Sequence, residues 1–452
     1  MISRVSGARE TIAGAEAGEV GGASEAVEAG EGARGRIGLG QAVALYVCAI
    51  LGAGVLVFPG QTASLAGPAS LIAWGFSALM GIPLAFTFAA LASRFPDAGG
   101  VATFAARAFG ASAGRVTGWW YFIAGSVGQT IVPLTAGYYV ASAADLNQHW
   151  APAIAVGVLT IAVAANLGGV RLGARVQIGL AIGVAVILST VIVVALPQIR
   201  LADFAPFAPH GVGGIGQAVV VLFFAFAGWE AVTHLSAEFR DVERTLPRAT
   251  LLTILIVTVL YLGVALAVVG TGSYGGRALD RVSLGVIIDH GLGVSAVGAV
   301  AVAAVVICLG TTNAFVASVS RLGFALGRDG WAPRVLTRRN RHDAPVVAIL
   351  TVAMIGGTGL VGAAGFGWGT DDIVFIPSVL VLATYLLGTA AAARLFTGPR
   401  RVVAVIGAVL LAATVPFAGW HLVIPPAVAV AVILIHRRRR SGRTRSPSPA
   451  AH

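Results

Sequence analysis

Two stretches of this chain carry residues whose types and spacing can do chemistry, and both sit inside long apolar runs. In the first, Ile50-Leu51-Gly52-Ala53-Gly54-Val55-Leu56-Val57-Phe58-Pro59, two glycines lie two apart and a proline follows five residues after the second. In an apolar medium this spacing is either a packing kink or an interruption of the helix. An interruption frees backbone N–H and C=O groups that lipid cannot satisfy, so it persists only where it lines a cavity or is buried in protein. Half-helix ends there carry partial charge of both signs, N–H groups for an anion and C=O groups for a cation. That combination suits a zwitterion such as a free amino acid.

The second stretch is Phe223-Phe224-Ala225-Phe226-Ala227-Gly228-Trp229-Glu230. Glu230 is the one carboxylate clearly inside an apolar run. A charge there costs several kcal/mol, so it must be paired, protonated or turned to water. His234 follows one turn later on the same helical face. Two readings of Glu230 stand side by side, a cap on broken-helix backbone and a carrier of a coupling proton. His234 reads as a residue near the cytoplasmic interface.

The elements that must position these residues are membrane helices. The chain has 452 residues, 57% hydrophobic and only 11% charged, with mean hydropathy +0.89, against about 25% charged in a soluble domain. Twelve apolar segments long enough to span a bilayer are expected at about 37–66, 68–93, 114–142, 150–169, 173–197, 211–236, 247–270, 293–326, 344–364, 371–396, 401–418 and 420–436. All 30 basic residues are arginine. With the N-terminus inside, every one except Arg200, Arg277 and Arg281 falls on the cytoplasmic face, the asymmetry that the positive-inside rule expects. Both termini are then cytoplasmic and the protein sits in the cell membrane. The formal charge of +11 belongs to loops and to an arginine tail beside anionic lipid, which excludes a nucleic-acid arm. Cys48 and Cys308, both in apolar segments, read as buried small hydrophobes. There is no metal-ligand spacing, nucleophile–base motif or phosphate-binding loop, so no enzyme and no cofactor is expected. Asp97, in the break after the second span, reads as a cap or turn residue.

Glycine interruptions thus fall in spans one and six, five spans apart, as two inverted five-helix repeats require. Beside them stand Phe95-Pro96-Asp97-Ala98-Gly99-Gly100-Val101 with Phe109-Gly110, and then Ala237-Glu238-Phe239-Arg240-Asp241 with Leu246-Pro247-Arg248-Ala249. Arg321-Leu322-Gly323-Phe324-Ala325-Leu326-Gly327-Arg328-Asp329-Gly330, with Pro333, adds a further match. In these motifs the chain resembles the amino acid–polyamine–organocation superfamily. Within it, Arg115-Val116-Thr117-Gly118-Trp119, Glu230-Ala231-Val232-Thr233-His234-Leu235-Ser236 and Gly419-Trp420 are similar to the bacterial exporters of methionine and branched-chain amino acids.

The resemblance implies an all-α integral membrane protein with 12 transmembrane helices in a 5+5 inverted repeat, LeuT-like, helices 1 and 6 being broken. The implied parts are a disordered cytoplasmic tail (1–36), repeats at 37–197 and 211–396, helices 11–12 at 401–436, and a basic tail at 437–452. It further implies that the substrate carboxylate meets N–H groups of Ala53, Gly54 and Val55 beside Gly52. The ammonium would meet carbonyls of Ala49 or Ile50 and of Phe224, Ala225 and Ala227 beside Gly228, with Phe224 as an aromatic gate. Some proton-coupled relatives place a lysine in span five; here Val184 stands near that position. Thr311 and Thr312 read either as support for a sodium site or as helix-packing hydroxyls. The coupling ion, H+ or Na+, stays open. The aromatic and aliphatic surroundings favour a neutral apolar side chain on the substrate. Expected, then, is a secondary transporter exporting Met, Leu, Ile or Val by alternating access. The competing readings are an importer or exchanger of another amino acid or amine and, more distantly, a non-transporting membrane sensor.

Overall fold

The computed structural model describes residues 38–95, 99–169, 174–229 and 242–443. Among them there are helices and no strand. The helices are α1 (Leu39–Ile50), α2 (Gly54–Ala66), α3 (Ser70–Arg94), α4 (Val101–Phe109), α5 (Ala111–Ala143), α6 (Ala151–Leu167), α7 (Ala174–Ala195), α8 (Gly211–Ala225) and α9 (Val242–Gly270). Two short connecting helices follow, α10 (Arg277–Asp280) and α11 (Ser283–Leu292). Then come α12 (Val294–Arg328), α13 (Val346–Phe366), the single turn α14 (Thr370–Ile373), α15 (Phe375–Leu395), α16 (Gly398–Thr414) and α17 (Ile424–Arg443).

These helices fall on the twelve expected segments. By length and apolarity alone eight helical runs qualify as spans, and two of them, Gly54–Arg94 and Gly398–Arg437, are long enough to hold two crossings each. Outside these runs lie α5, which is long enough but less apolar, α1, which is cut off from the first run at Leu51, and α8, which ends after 15 residues. Helix α1 stops at Ile50, where Leu51 leaves the helical region at φ −75°, ψ 53°, and α2 starts afresh at Gly54. Helix α8 stops at Ala225, and Gly228 stands at φ +132°, a backbone conformation that glycine adopts without a Cβ penalty. The amphipathic segment after the second span is α4, and the last span starts only at Ile424, past a kink at Gly419.

Small residues let the long helices approach where lipid offers no hydrophobic drive. A Cβ at Gly118 would lie 2.6 Å from the Leu326 side chain, which seats α5 tightly on α12. Thr130 of α5 donates to the Gly356 carbonyl of α13 at 2.9 Å. The buried Asn166 of α6 donates to the Asn313 side chain of α12 at 2.8 Å, so these four helices form one packed block. Pro59, inside α2, has no N–H for the carbonyl one turn earlier. Beside that gap, the buried Tyr139 hydroxyl of α5 donates to the Leu56 carbonyl at 2.8 Å. Val184 is buried in α7, and Cys308 is a buried free thiol in α12.

Candidate functional site

The two breaks meet. A Cβ placed on Gly54 would sit 3.4 Å from the Cα of Ala225 and 2.7 Å from the Phe58 ring. The start of α2 and the end of α8 are therefore in backbone contact, although 171 sequence positions separate them. Gly54 is glycine because nothing larger fits between those neighbours. Ile50, Ala53, Val55, Ala225, Phe226 and Ala227 are all buried here.

Backbone groups at the first break are only partly used within the chain. The Leu51 and Gly52 N–H groups donate back to Val47 O and Ile50 O at 2.7 and 2.8 Å. Leu56 N–H donates to Ala53 O at 3.1 Å, whereas Val55 N–H reaches Gly52 O only at 3.4 Å, a weak bond. Val55 thus keeps much of its donor capacity, at a helix N-terminus that attracts anions. The two C-terminal carbonyls turn to one side chain: the Tyr261 hydroxyl of α9 lies 2.7 Å from Ile50 O and 3.1 Å from Ala225 O. At the second break, Gly228 N–H donates to the Tyr385 hydroxyl of α15 at 3.2 Å.

Aromatic rings enclose this junction. Phe224 meets Phe58 edge-on at 6.0 Å between centroids, and its ring tip lies where a side chain on Gly128 of α5 would begin. Trp74, Phe226 and Tyr261 form a second group, Tyr261 being 5.1 Å from Trp74 and 5.0 Å from Phe226, both edge-on. Edge-to-face pairs at such distances hold rings in fixed orientation.

Of the residues singled out by sequence, Ile50, Gly52, Ala53, Gly54, Val55, Phe224, Ala225, Ala227 and Gly228 lie on the two breaks, and Ala49 lies on the last turn of α1. Thr311 belongs with them, its Cγ2 3.2 Å from the position a Cβ on Gly52 would take. Thr312 is fully buried and its hydroxyl has no partner among the described residues. Glu230, His234 and Asp97 lie outside the described residues. Sequence reasoning missed Tyr261 and Tyr385. The available signal was a hydroxyl in an otherwise apolar run, which must find a partner when buried.

A second polar group closes the arginine-poor face above α2. Arg281 is paired with Asp371 at 3.0 Å, donates to Gln148 Oε1 at 3.2 Å and stacks on Tyr138 at 4.8 Å. Arg277 reaches Asp371 at 3.3 Å and Asp372 at 3.2 Å. Asp280 accepts from Ser64 Oγ at 2.7 Å and from Gly275 N–H at 2.9 Å. Helices α10 and α14 and the end of α2 are tied together there. Burial raises the Asp280 pKa from its ordinary value, against the opposing pull of the Ser64 and Gly275 hydrogen bonds.

Two interrupted helices meeting in the middle of a polytopic helical protein define a membrane carrier of the LeuT-like fold. Comparison with solved structures agrees: the crystal structure of MhsT in complex with L-phenylalanine superposes with TM-score 0.62, at 16% identity, covering 89% of this chain and 99% of that one. Residues 37–450 match the family described as amino acid permease. The chain is 33% identical over 396 residues to the uncharacterized amino acid permease YecA of Bacillus subtilis (strain 168), covering 86% of this chain and 93% of YecA. It is 30% identical over 397 residues to the L-methionine/branched-chain amino acid exporter YjeH of Escherichia coli (strain K12), with 86% and 93% covered. This chain belongs to the amino acid permease family, a multi-pass membrane transporter and not an enzyme.

Proposed function

We propose that the protein carries neutral apolar amino acids, Met, Leu, Ile and Val, out of the cell by alternating access, with both termini in the cytoplasm. The observation that carries this reading is the backbone contact between the breaks at Gly54 and Ala225. It brings N–H donors of one half-helix and C=O acceptors of two others to one place, the complement of a zwitterion. The substrate carboxylate meets the N–H groups of Ala53, Gly54 and Val55. Its ammonium meets Ile50 O and Ala225 O, with the carbonyls of Ala49, Phe224 and Ala227 as further candidates. Phe58 and Phe224 face the side chain, and no charged group stands among the described residues there to hold a cationic or anionic one. The similarity to a named methionine/branched-chain exporter supports both substrate class and direction. The repeats take 37–197 and 211–396, with 401–436 as an appended helix pair.

The test is exchange of labelled leucine and methionine in proteoliposomes, at two pH values, with and without sodium. Saturable exchange is the expected outcome, and its ion dependence assigns the coupling ion to H+ or Na+. Folded protein that exchanges neither amino acid would move the substrate class elsewhere, towards polar amino acids or amines. Oriented vesicles then give the direction of net flux.

A further inference from the structure

The Tyr261 hydroxyl has one proton and faces two acceptors. Ile50 O and Ala225 O are the last carbonyls of α1 and α8, so each lies at a helix C-terminus with its partial negative charge. Ile50 O also accepts from Gly52 N–H at 2.8 Å, so among the described residues it is Ala225 O that depends on the shared phenol proton. The phenol cannot move aside to relieve this sharing. Its ring is 1% exposed and wedged edge-on between Trp74 and Phe226, and a flip about the ring axis leaves the oxygen where it was.

A primary ammonium has three N–H donors and can serve both carbonyls at once. We propose that Tyr261 is the resident donor of the amine subsite. With no substrate bound, its O–H keeps the two C-terminal carbonyls paired. On binding, the substrate ammonium takes over that pairing at the carbonyls' remaining lone pairs. The residue therefore sets the energy of the empty carrier more than that of the loaded one. This inference rests on the transport reading given above and assigns a role to a residue outside both helix breaks.

A group that stabilises only the empty carrier has a particular kinetic signature. Exchange cycles between loaded states, whereas net flux must return the protein empty. The Tyr261→Phe variant keeps the ring and its aromatic contacts and deletes the donor. Its empty state then leaves the Ala225 carbonyl without the phenol donor and Ile50 O with Gly52 N–H alone, so leucine should bind about threefold to tenfold more tightly. Net flux into substrate-free vesicles should fall by a larger factor than exchange at saturating leucine does. Replacing Tyr261 with 3-fluorotyrosine, a stronger donor, should shift the leucine affinity the opposite way, and it provides a reading if the phenylalanine variant does not fold.

Weaker leucine binding in Tyr261→Phe, with exchange and net flux falling together, would overturn the proposal and leave Tyr261 a packing residue. Unchanged affinity with an unchanged ratio of exchange to net flux would overturn it as well. Either result beside active wild-type exchange leaves the transport reading standing. Wild-type protein that exchanges neither leucine nor methionine overturns both.

Discussion

The junction of the two breaks and the clasp on the arginine-poor face hold the same half-helix by opposite means. At the lower end of α2 the described contacts are backbone dipoles, hydroxyls and aromatic rings, fitted so closely that Gly54 has no room for a methyl group. At its upper end, Ser64 is tied to Asp280, and the neighbouring helices are tied by full charges, Arg277 and Arg281 on Asp371 and Asp372. A place that must accept and release a zwitterion works with fixed partial charges that need little reorganisation. A rim away from the junction, where helix ends are tied to one another, tolerates ion pairs between full charges. The difference separates a region limited by shape from one limited by charge, and substitutions should sort accordingly.

The largest effect is expected at the junction. Gly54→Ala drives a methyl group into the buried Phe58 ring and toward the Ala225 backbone, and overpacking of this kind costs about 1–3 kcal/mol. Leucine exchange should fall at least about tenfold. In contrast, Gly52→Ala meets only the tip of Thr311 at 3.2 Å and should stay within about threefold of wild type. Equal losses in the two variants would show that the fit at Ala225 does not govern the site.

At the rim the contrast lies between the two arginines. The Arg281 side chain is 12% exposed, that of Arg277 is 67% exposed. Arg281→Gln leaves Asp371 and Gln148 without their inner partner and should lower stability by about 1–3 kcal/mol. Arg277→Gln removes pairs already screened by water and should change stability by less than about 0.5 kcal/mol. Thermal unfolding in detergent at low and high salt checks both, and the Arg277 contribution alone should fade with salt.

The smallest effect concerns protons. Because burial raises the Asp280 pKa, the folded protein holds this proton at pH values where the unfolded chain has released it. The stability it contributes is therefore complete below the ordinary carboxylate pKa and is lost as pH rises through the raised one. Across that window wild-type protein should lose thermal stability relative to Asp280→Asn, and melting curves at pH 4 and pH 7 measure the difference. An unchanged difference would show that the rim does not take up a proton there.

The interruption at Gly52–Gly54, the end of helix near Gly228 and the twelve segments were legible in sequence because each is a local property: glycine and proline spacing, or the length of an apolar run. Tyr261 was not, since its meaning lies in carbonyls 211 and 36 positions away, and a tyrosine in an apolar span announces only that some acceptor exists. The rim was half legible. Counting arginines sets Arg277 and Arg281 apart from the rest, but nothing local says that Asp371, 90 positions after Arg281, would answer it. Long-range pairing of polar groups is decided by helix packing, which composition and periodicity do not encode.

Helices α5 and α12 are 33 and 35 residues long, about 50 Å at 1.5 Å per residue, against a hydrocarbon layer of about 30 Å. Rods of that length must tilt or stand proud of the lipid, at an angle set by the helices packed against them. Gly128, where Phe224 is seated, rides on α5; Thr311, against Gly52, rides on α12. Any change in how these two rods lean would therefore be felt at both walls of the junction at once.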